Sequence, residues 1–479
     1  MKRITIIALV ALATALQLTA YTAQEAVDKF ISHSSLRYAS VGVQVIDLDS
    51  AKSIASYRPN QANITASTMK TVVSSAALGL LGPHFRFETP VYLDGEVEDG
   101  CFRGNIVVRG IGDPTLGSVF LPEQANIVDE ILNALRSRGI TTVDGAIVGD
   151  DSYYAYPFFS DEWDAGDLAF NYGTAVHGLS FHDNLMNVSF TVDSRSQISR
   201  YCITPPVPGL KVVSRMRRNS RRNAVSAYLD YGAPALVLSG DATSKSFQDT
   251  YANPTPAPML VDSIEQALYR SNIRFQRNET AYESLGDKAG HTLLVLHKSP
   301  ELTEIITSLL DRSDNMFAHA LLRAIGAREW EVKDMDNMPQ DLDAIGVAAV
   351  KRWLELQGID TEPLFMRDGS GLARGNKATV NFFGDMLSMM AHRRFDGVRL
   401  CDLMPKAAGR AGKTLKANPL SDAIVLKSGS MRHVQCYVGY YPADEPRYAF
   451  AVLVNNFTCS QANIREQIGV FLCNLFEEL

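Results

Sequence analysis

Ser67 and Lys70, in the stretch Thr65-Ala66-Ser67-Thr68-Met69-Lys70, form the only Ser-x-x-Lys in the chain. Residues three apart on a helix lie on one face, so the amine of Lys70 can reach the hydroxyl of Ser67. A hydroxyl beside a neutral amine is a nucleophile with its own base. With Ser67 at the opening of a helix, the positive field of the N-terminus favours a neutral lysine and a developing alkoxide. Chance also supplies such a spacing in a chain of 479 residues, so its partners decide whether it does chemistry. Two other stretches offer them. Ser313 and Asn315 flank Asp314, which is placed to cap the helix that follows. Lys427-Ser428-Gly429-Ser430 puts a cation and two hydroxyls on a run with strand texture.

The periods around these motifs say what positions them. Residues 69–81 carry Val72, Val73, Ala76, Ala77 and Leu80 and predict a buried helix ending at Gly82-Pro83, with Ser67 at its mouth. Ahead of it, residues 24–35 predict a short amphipathic helix, and 41–48 with 53–58 a hairpin across a turn at 49–52. Helical periods return at 301–310, 316–325, 338–357 and 379–392, interrupted at 311–315 by the second motif. The last segment predicts three consecutive antiparallel strands, 423–429, 433–441 and 448–455, and a closing helix over 460–476. Between these regions the texture differs: short strands at 104–109, 145–149, 186–192 and 235–239, separated by Gly, Asp and Pro, with one helix over 124–138. The expected organisation is a signal peptide (1–23), a first catalytic part (24–89), an insertion of one or two small, mostly β domains (90–290) and a second catalytic part (291–479). The fold class is α+β.

Composition sets further bounds. A chain that is 46% hydrophobic and 21% charged has the make-up of an ordinary globular protein with length for two or three domains. A net charge of −7 with interspersed signs gives no attraction to nucleic acid or to an anionic membrane surface, so a small or neutral substrate is expected. Lys2 and Arg3, an apolar run over 4–18 and small residues at Ala20 and Ala23 make a signal-peptide pattern too short to span a membrane. The product is expected to be exported, with no integral membrane segment after cleavage. The first cysteine is Cys101, so no lipid anchor is expected at a mature N-terminus. Six dispersed cysteines without Cys-x-x-Cys exclude zinc knuckles and leave disulfide pairing open. Gly110-Ile-Gly112-Asp-Pro114 lacks a third glycine and reads as a loop, not a nucleotide site. The six basic residues within 211–222 read as a solvated hairpin face, with an anionic polymer as the alternative partner. His177 and His182 lack a third ligand, and no metal is implied.

Taken together, Ser67-x-x-Lys70, Ser313-Asp314-Asn315 and Lys427-Ser428-Gly429 occur in the order and contexts of the active-site serine penicilloyl-transferases. The chain resembles the low-molecular-mass class C penicillin-binding proteins, D-alanyl-D-alanine carboxypeptidase/endopeptidases of the penicillin-binding protein 4 type. Residues 110–116, 149–153 and 368–374 are similar to signatures of that family, and the resemblance spans nearly the whole mature chain. It implies a β-lactamase-like catalytic domain, an antiparallel sheet flanked by helices, interrupted by a large insertion. It also implies acyl transfer without metal or cofactor. Ser67 would attack the carbonyl of the penultimate D-alanine with Lys70 as general base. Ser313 would relay a proton to the leaving amine, and Asn315 would orient Lys70 and the substrate amide. Lys427 would meet the terminal carboxylate, with the Ser428 hydroxyl as a hydrogen-bond partner. The N–H groups of Ser67 and Ser430, beside Gly429, would form the oxyanion hole, and water would release the acyl group. Peptidoglycan stem peptides would be the substrates and β-lactam antibiotics covalent inhibitors, of a periplasmic or cell-wall-associated enzyme. Arg374, and Asp150 or Asp151, are candidates for contacting the peptide.

Two departures from the family pattern bear on this. Ser428 stands where threonine is commoner and keeps the hydroxyl. No Pro-Gly precedes Trp163, in a region suited to substrate selection. A β-lactamase is the nearest rival, opposed by the insertion and by the lack of Glu-x-x-Leu-Asn between Asn315 and Lys427. A catalytically dead wall-binding protein is the rival from another class, opposed by intact functional groups at all three motifs.

Overall fold

The structure is a computed structural model describing residues 22–479 apart from 123–124, 155–156, 194–197, 220, 222–223, 243–245, 278–290, 333–340, 410–418 and 478. Residues 1–21 of the expected signal peptide lie outside the described residues.

Five strands form one sheet in the order Val425–Met431, Val434–Tyr441, Tyr448–Asn455, Ser40–Asp47, Lys52–Tyr57, and every neighbouring pair is antiparallel. The end of the chain thus pairs with its beginning. Tyr448–Asn455 lies in the middle and is buried along its whole length. Its alternate residues feed two cores: Phe450, Val452 and Val454 enter one, Ala449, Ala451 and Leu453 the other. That is the period of a strand covered on both faces. Helices Ala23–Ile31 and Gln461–Glu477 cover the first face, with Phe30 stacked on Phe471 at 4.7 Å between ring centroids. Met69–Leu80, Leu302–Arg312, Asn315–Val332, Leu342–Leu356 and Val380–His392 build the second core. The class is α+β, an antiparallel sheet between layers of helix.

Met69–Leu80 is buried from Met69 through Leu78, polar residues included. Two of its hydroxyls bond to the helix's own backbone: Thr71 Oγ1 donates to the Thr68 carbonyl at 2.8 Å and Ser75 Oγ to the Thr71 carbonyl at 2.6 Å. A helix so enclosed cannot shift without opening the core, so it is a rigid mount for Ser67 and Lys70.

The chain leaves this region on strand Glu88–Glu98 and returns on Thr292–Lys298, and these two strands pair antiparallel. They belong to a second sheet with Cys101–Arg109, Thr142–Gly145, Ile147–Asp150 and Arg274–Arg277, in which several pairs are parallel. Helices Ile127–Ser137 and Pro256–Arg270 bury Ile131, Leu135, Ile264 and Leu268 in the hydrophobic core that this sheet shares. Two three-stranded sheets complete this part, Leu185–Val192 with Ile198–Thr204 and Ser246–Ala252, and Lys211–Arg218 with Ala224–Asp230 and Ala235–Ala242.

The last of these sheets corrects the hairpin expected at 211–222. Lys211–Arg218 does not pair with Ala224–Asp230; Ala235–Ala242 lies between them, parallel to the first and antiparallel to the second. Burial explains the order. Leu236 and Leu238 are fully buried and take the centre, while Lys211, Arg215 and Arg217 stay exposed on an edge, where charge also discourages further strand addition. The loop after Cys101–Arg109 holds no phosphate-loop helix; buried Asp113 instead accepts from Thr115 N at 2.8 Å and Thr115 Oγ1 at 2.7 Å. All six cysteines are free. No helix among the described residues is long and apolar enough to cross a membrane.

Candidate active site

Ser67 lies in a single 3-10 turn, Ala66–Thr68, that runs directly into Met69–Leu80. The approach is strained: Ala66 has φ +46°, a left-handed conformation that costs a non-glycine residue about 1 kcal/mol or more. A neighbouring loop fits against it. Gly371, at φ +82°, comes so close that a β-carbon there would lie 1.9 Å from the Ala66 carbonyl oxygen.

Lys70 is fully buried, and its Nζ lies 3.0 Å from Ser67 Oγ, 2.5 Å from Asn315 Oδ1 and 2.6 Å from the Ser370 carbonyl oxygen. Burial pushes its amine down to about 7, against the pull of Asp368 and Asp314, which favour the ammonium. An ordinary lysine is protonated at neutral pH; this one is poised between its two forms.

The second motif occupies a break between helices. Leu302–Arg312 ends at Ser313, whose φ of +59° turns the chain, and Asn315–Val332 starts two residues later. Asp314 caps the new helix, accepting from Phe317 N at 3.0 Å, and burial raises its carboxyl above the usual range. Asn315, at the helix start, therefore points its amide at Lys70, while its Nδ2 donates to the Tyr172 carbonyl at 2.7 Å.

The third motif runs along the edge strand Val425–Met431. Leu426 N donates outward to the Pro405 carbonyl, away from the paired strand. With a period of two, the N–H groups of Ser428 and Ser430 point to that same open side. Gly429 brings the strand against the nucleophile's turn; a β-carbon there would lie 2.7 Å from the Thr65 carbonyl oxygen and 3.0 Å from the amide nitrogens of Ser67 and Thr68. Lys427 is fully buried, and its Nζ donates to Ser313 Oγ at 3.0 Å and to the Ser428 carbonyl at 2.7 Å. Burial and the nearby Lys70 hold its amine well below the ordinary lysine value. Ser430 Oγ accepts from Gln461 Nε2 at 2.9 Å and Arg465 Nη2 at 3.1 Å.

A cleft of about 870 Å³ opens over Ser67, Ser313, Asn315 and Ser430. Arg374 lines it and donates to the Arg432 carbonyl at 3.0 Å. The facing wall comes from the central part of the chain and carries Glu162, Asp164, Asp167 and Tyr172. Asp150 and Asp151 are elsewhere. Asp150 accepts from Ser152 N and Oγ, and Asp151 accepts from Leu179 N at 2.7 Å and pairs with the ring of His177 at 2.9 Å. His177 is a core residue stacked on Phe158. These side chains hold loops, and their acidic character in sequence signalled only that. Residue types missed the Ser370 and Tyr172 carbonyls, because a backbone acceptor carries no side-chain signature.

Comparison with known proteins bears on this arrangement. The D-alanyl-D-alanine carboxypeptidase of Actinomadura sp. (strain R39) is 24% identical over 455 residues, covering 90% of this chain and 80% of that protein. The D-alanyl-D-alanine carboxypeptidase DacB of Haemophilus influenzae is 24% identical over 459 residues, covering 92% of this chain and 91% of that one. The crystal structure of penicillin binding protein 4 (dacB) from Haemophilus influenzae has the same fold, with a TM-score of 0.76 at 22% identity over 94% of this chain and 98% of that one. The profile of one family, D-Ala-D-Ala carboxypeptidase 3 (S13), matches residues 23–475, and the chain belongs to that family of serine hydrolases.

Proposed function

We propose that Ser67 is the nucleophile and Lys70 its general base in hydrolysis of a D-alanyl-D-alanine bond. The observation that carries this reading is the surroundings of Lys70 Nζ. A neutral amine has two N–H bonds and one lone pair. Asn315 Oδ1 and the Ser370 carbonyl accept the two N–H bonds, and the remaining partner, at 3.0 Å, is Ser67 Oγ. The lone pair is thus directed at the hydroxyl proton. A base near neutrality both exists in its working form and takes a proton readily.

In the proposed cycle, the Ser67 proton passes to Lys70 as Oγ bonds to the carbonyl carbon. The oxyanion meets the N–H groups of Ser67 and Ser430, which the edge strand and the helix mouth hold in place beforehand. The C–N bond then breaks, and the proton that Lys70 received passes through Ser313 to the leaving amine, which returns Lys70 to its neutral form. Ser313 suits this step because it accepts from Lys427 on one side and lies on the cleft surface on the other. A terminal carboxylate arriving beside Lys427 and Ser428 favours the ammonium of Lys427, so binding itself would recharge that amine. Water completes hydrolysis of the ester, and no step calls for a metal or cofactor. Whether the leaving amine is free D-alanine or a cross-linked strand sets the carboxypeptidase or endopeptidase outcome on the same chemistry.

The cleft chemistry fits a peptide carrying charges of both signs, with Arg374 and Arg432 on one side and Glu162, Asp164 and Asp167 on the other. Peptidoglycan stem peptides are the substrates in this proposal and β-lactams the acylating inhibitors, in an exported protein acting at the cell wall. The division into 24–89, 90–290 and 291–479 belongs to the same proposal, supported by the pairing of the strands on which the chain departs and returns.

The test is labelling with a fluorescent penicillin, followed by measurement of D-alanine release from a pentapeptide. Wild type should be labelled and Ser67→Ala should not, at unchanged melting temperature. A wild type that takes no adduct refutes the reading, and rapid turnover of penicillin favours a β-lactamase.

A further inference from the structure

Besides its contact with Ser67, Lys70 meets two hydrogen-bond acceptors, and both are held from one short stretch of the central part of the chain. Asn315 is the first. Its Nδ2 donates to the Tyr172 carbonyl at 2.7 Å, which fixes the amide with Oδ1 towards Lys70. Ser370 is the second. Its carbonyl lies in a turn wrapped round the fully buried carboxylate of Asp368. Asp368 Oδ1 accepts from Ser370 N at 2.7 Å, Ser370 Oγ at 2.8 Å and Gly371 N at 2.6 Å. Asp368 Oδ2 accepts from Ala373 N at 2.8 Å, Asn376 Nδ2 at 3.2 Å and Trp163 Nε1 at 2.8 Å. Trp163 is therefore to Ser370 what Tyr172 is to Asn315.

The stretch between them is stiff. Successive backbone bonds, Trp163 N to Ser160 O, Asp167 N to Asp164 O, Phe170 N to Asp167 O and Gly173 N to Phe170 O, wind it into consecutive turns. Trp163, Leu168 and Ala373 share a small core of their own. Ala252 N donates to the Ala169 carbonyl at 3.0 Å, which ties the turns to strand Ser246–Ala252. Trp163 is 6% exposed and lies behind Leu372, which lines the cleft.

We propose that residues 163–172 are a positioning clamp for Lys70, acting through Asp368 and the Ser370 carbonyl at one end and through Asn315 at the other. By holding both N–H acceptors, the clamp leaves the amine one free direction, towards Ser67. Trp163, Asp368 and Tyr172 are positioning residues, since none of them touches the reacting atoms. This proposal rests on Lys70 as the base. It assigns to the central part of the chain a share in the chemical step, apart from any contact it makes with peptide.

The charged groups facing Lys70 are Asp368, Asp314 and Lys427. Asp368 favours the ammonium, so removing its charge must lower the pH at which Lys70 takes up a proton. Penicillin acylation, resolved by stopped flow into a binding constant and an acylation rate constant, separates positioning from substrate contact. Trp163→Phe removes the N–H that reaches Asp368 and keeps an aromatic ring, smaller than the indole, in the small core with Leu168 and Ala373. It should lower the acylation rate constant about tenfold, since small misplacements of a reacting group are costly, with the binding constant unchanged. Asp368→Asn should move the acid limb of the acylation profile to lower pH. A Trp163→Phe enzyme with the wild-type rate constant, or with a loss confined to binding, overturns the clamp, as does an acid limb that stays in place in Asp368→Asn. Should one variant fail to fold, the other decides. A wild type without an acid limb would sink the base assignment, and acylation of Ser67→Ala would sink the nucleophile; each is read separately from the clamp.

Discussion

Replacing Lys70 with methionine should make the protein inactive and change how its stability depends on pH. In the unfolded chain Lys70 protonates at about 10.4, whereas burial in the folded protein lowers this to about 7. The unfolded state therefore binds a proton across the window between these values and the folded state does not. Stability is lost as pH falls through that window and levels off below about 7. Between pH 9 and pH 7 the wild type should lose about 2 kcal/mol relative to Lys70→Met, taking 1.36 kcal/mol per pKa unit and allowing for half-protonation at the lower limit. Lys427 acts in the same direction, because its own depression arises partly from Lys70 and relaxes when that charge is gone. The stability gap at any single pH also contains the hydrogen bonds that Asn315 Oδ1 and the Ser370 carbonyl lose. Its change with pH does not. Thermal melts of both proteins at pH 7, 8 and 9 measure it, and the melting temperatures should diverge by roughly 2 °C towards pH 7. Curves that stay parallel would refute the claim that Lys70 is held neutral by burial.

Other perturbations test neighbouring parts of the site. The second-order rate of wild-type acylation by penicillin should fall about tenfold per pH unit below pH 7, as Lys70 protonates; a rate constant that is flat to pH 5 would exclude Lys70 as the base. Gly429→Ala places a β-carbon 2.7 Å from the Thr65 carbonyl oxygen, so the edge strand must back away from Ser67, and acylation should drop by about a hundredfold, read with the same fluorescent penicillin. Asp343 accepts from Arg323 Nε at 2.9 Å, and His319 and Arg323 hold its carboxyl well below the usual range despite burial. Asp343→Asn should destabilise the fold by about 3–5 kcal/mol, the cost of stranding a buried charge, measured as a loss of melting temperature with penicillin labelling retained below the transition.

What the sequence determined is local. The apolar stripe of 69–81 demands a buried helix, and three-residue spacing across its mouth brings Ser67 and Lys70 to one side. Asp314 marks a helix start because a carboxylate satisfies free N–H groups there, and period-two runs at the end of the chain announce strands. The three-part pattern of Ser/Lys, Ser/Asn and Lys/Ser was legible for the same reason, since each part is a side-chain type within a local element. Tertiary structure alone decided which groups meet. Lys427 turns to Ser313, Asp150 and Asp151 tie down loops away from the cleft, and Lys211–Arg218 lies parallel to a strand that apolar Leu236 and Leu238 force to the centre. The partners that aim Lys70 depend on the Ser370 and Tyr172 carbonyls. Every residue has a carbonyl, so residue type cannot reveal which one a distant fold will place beside an amine.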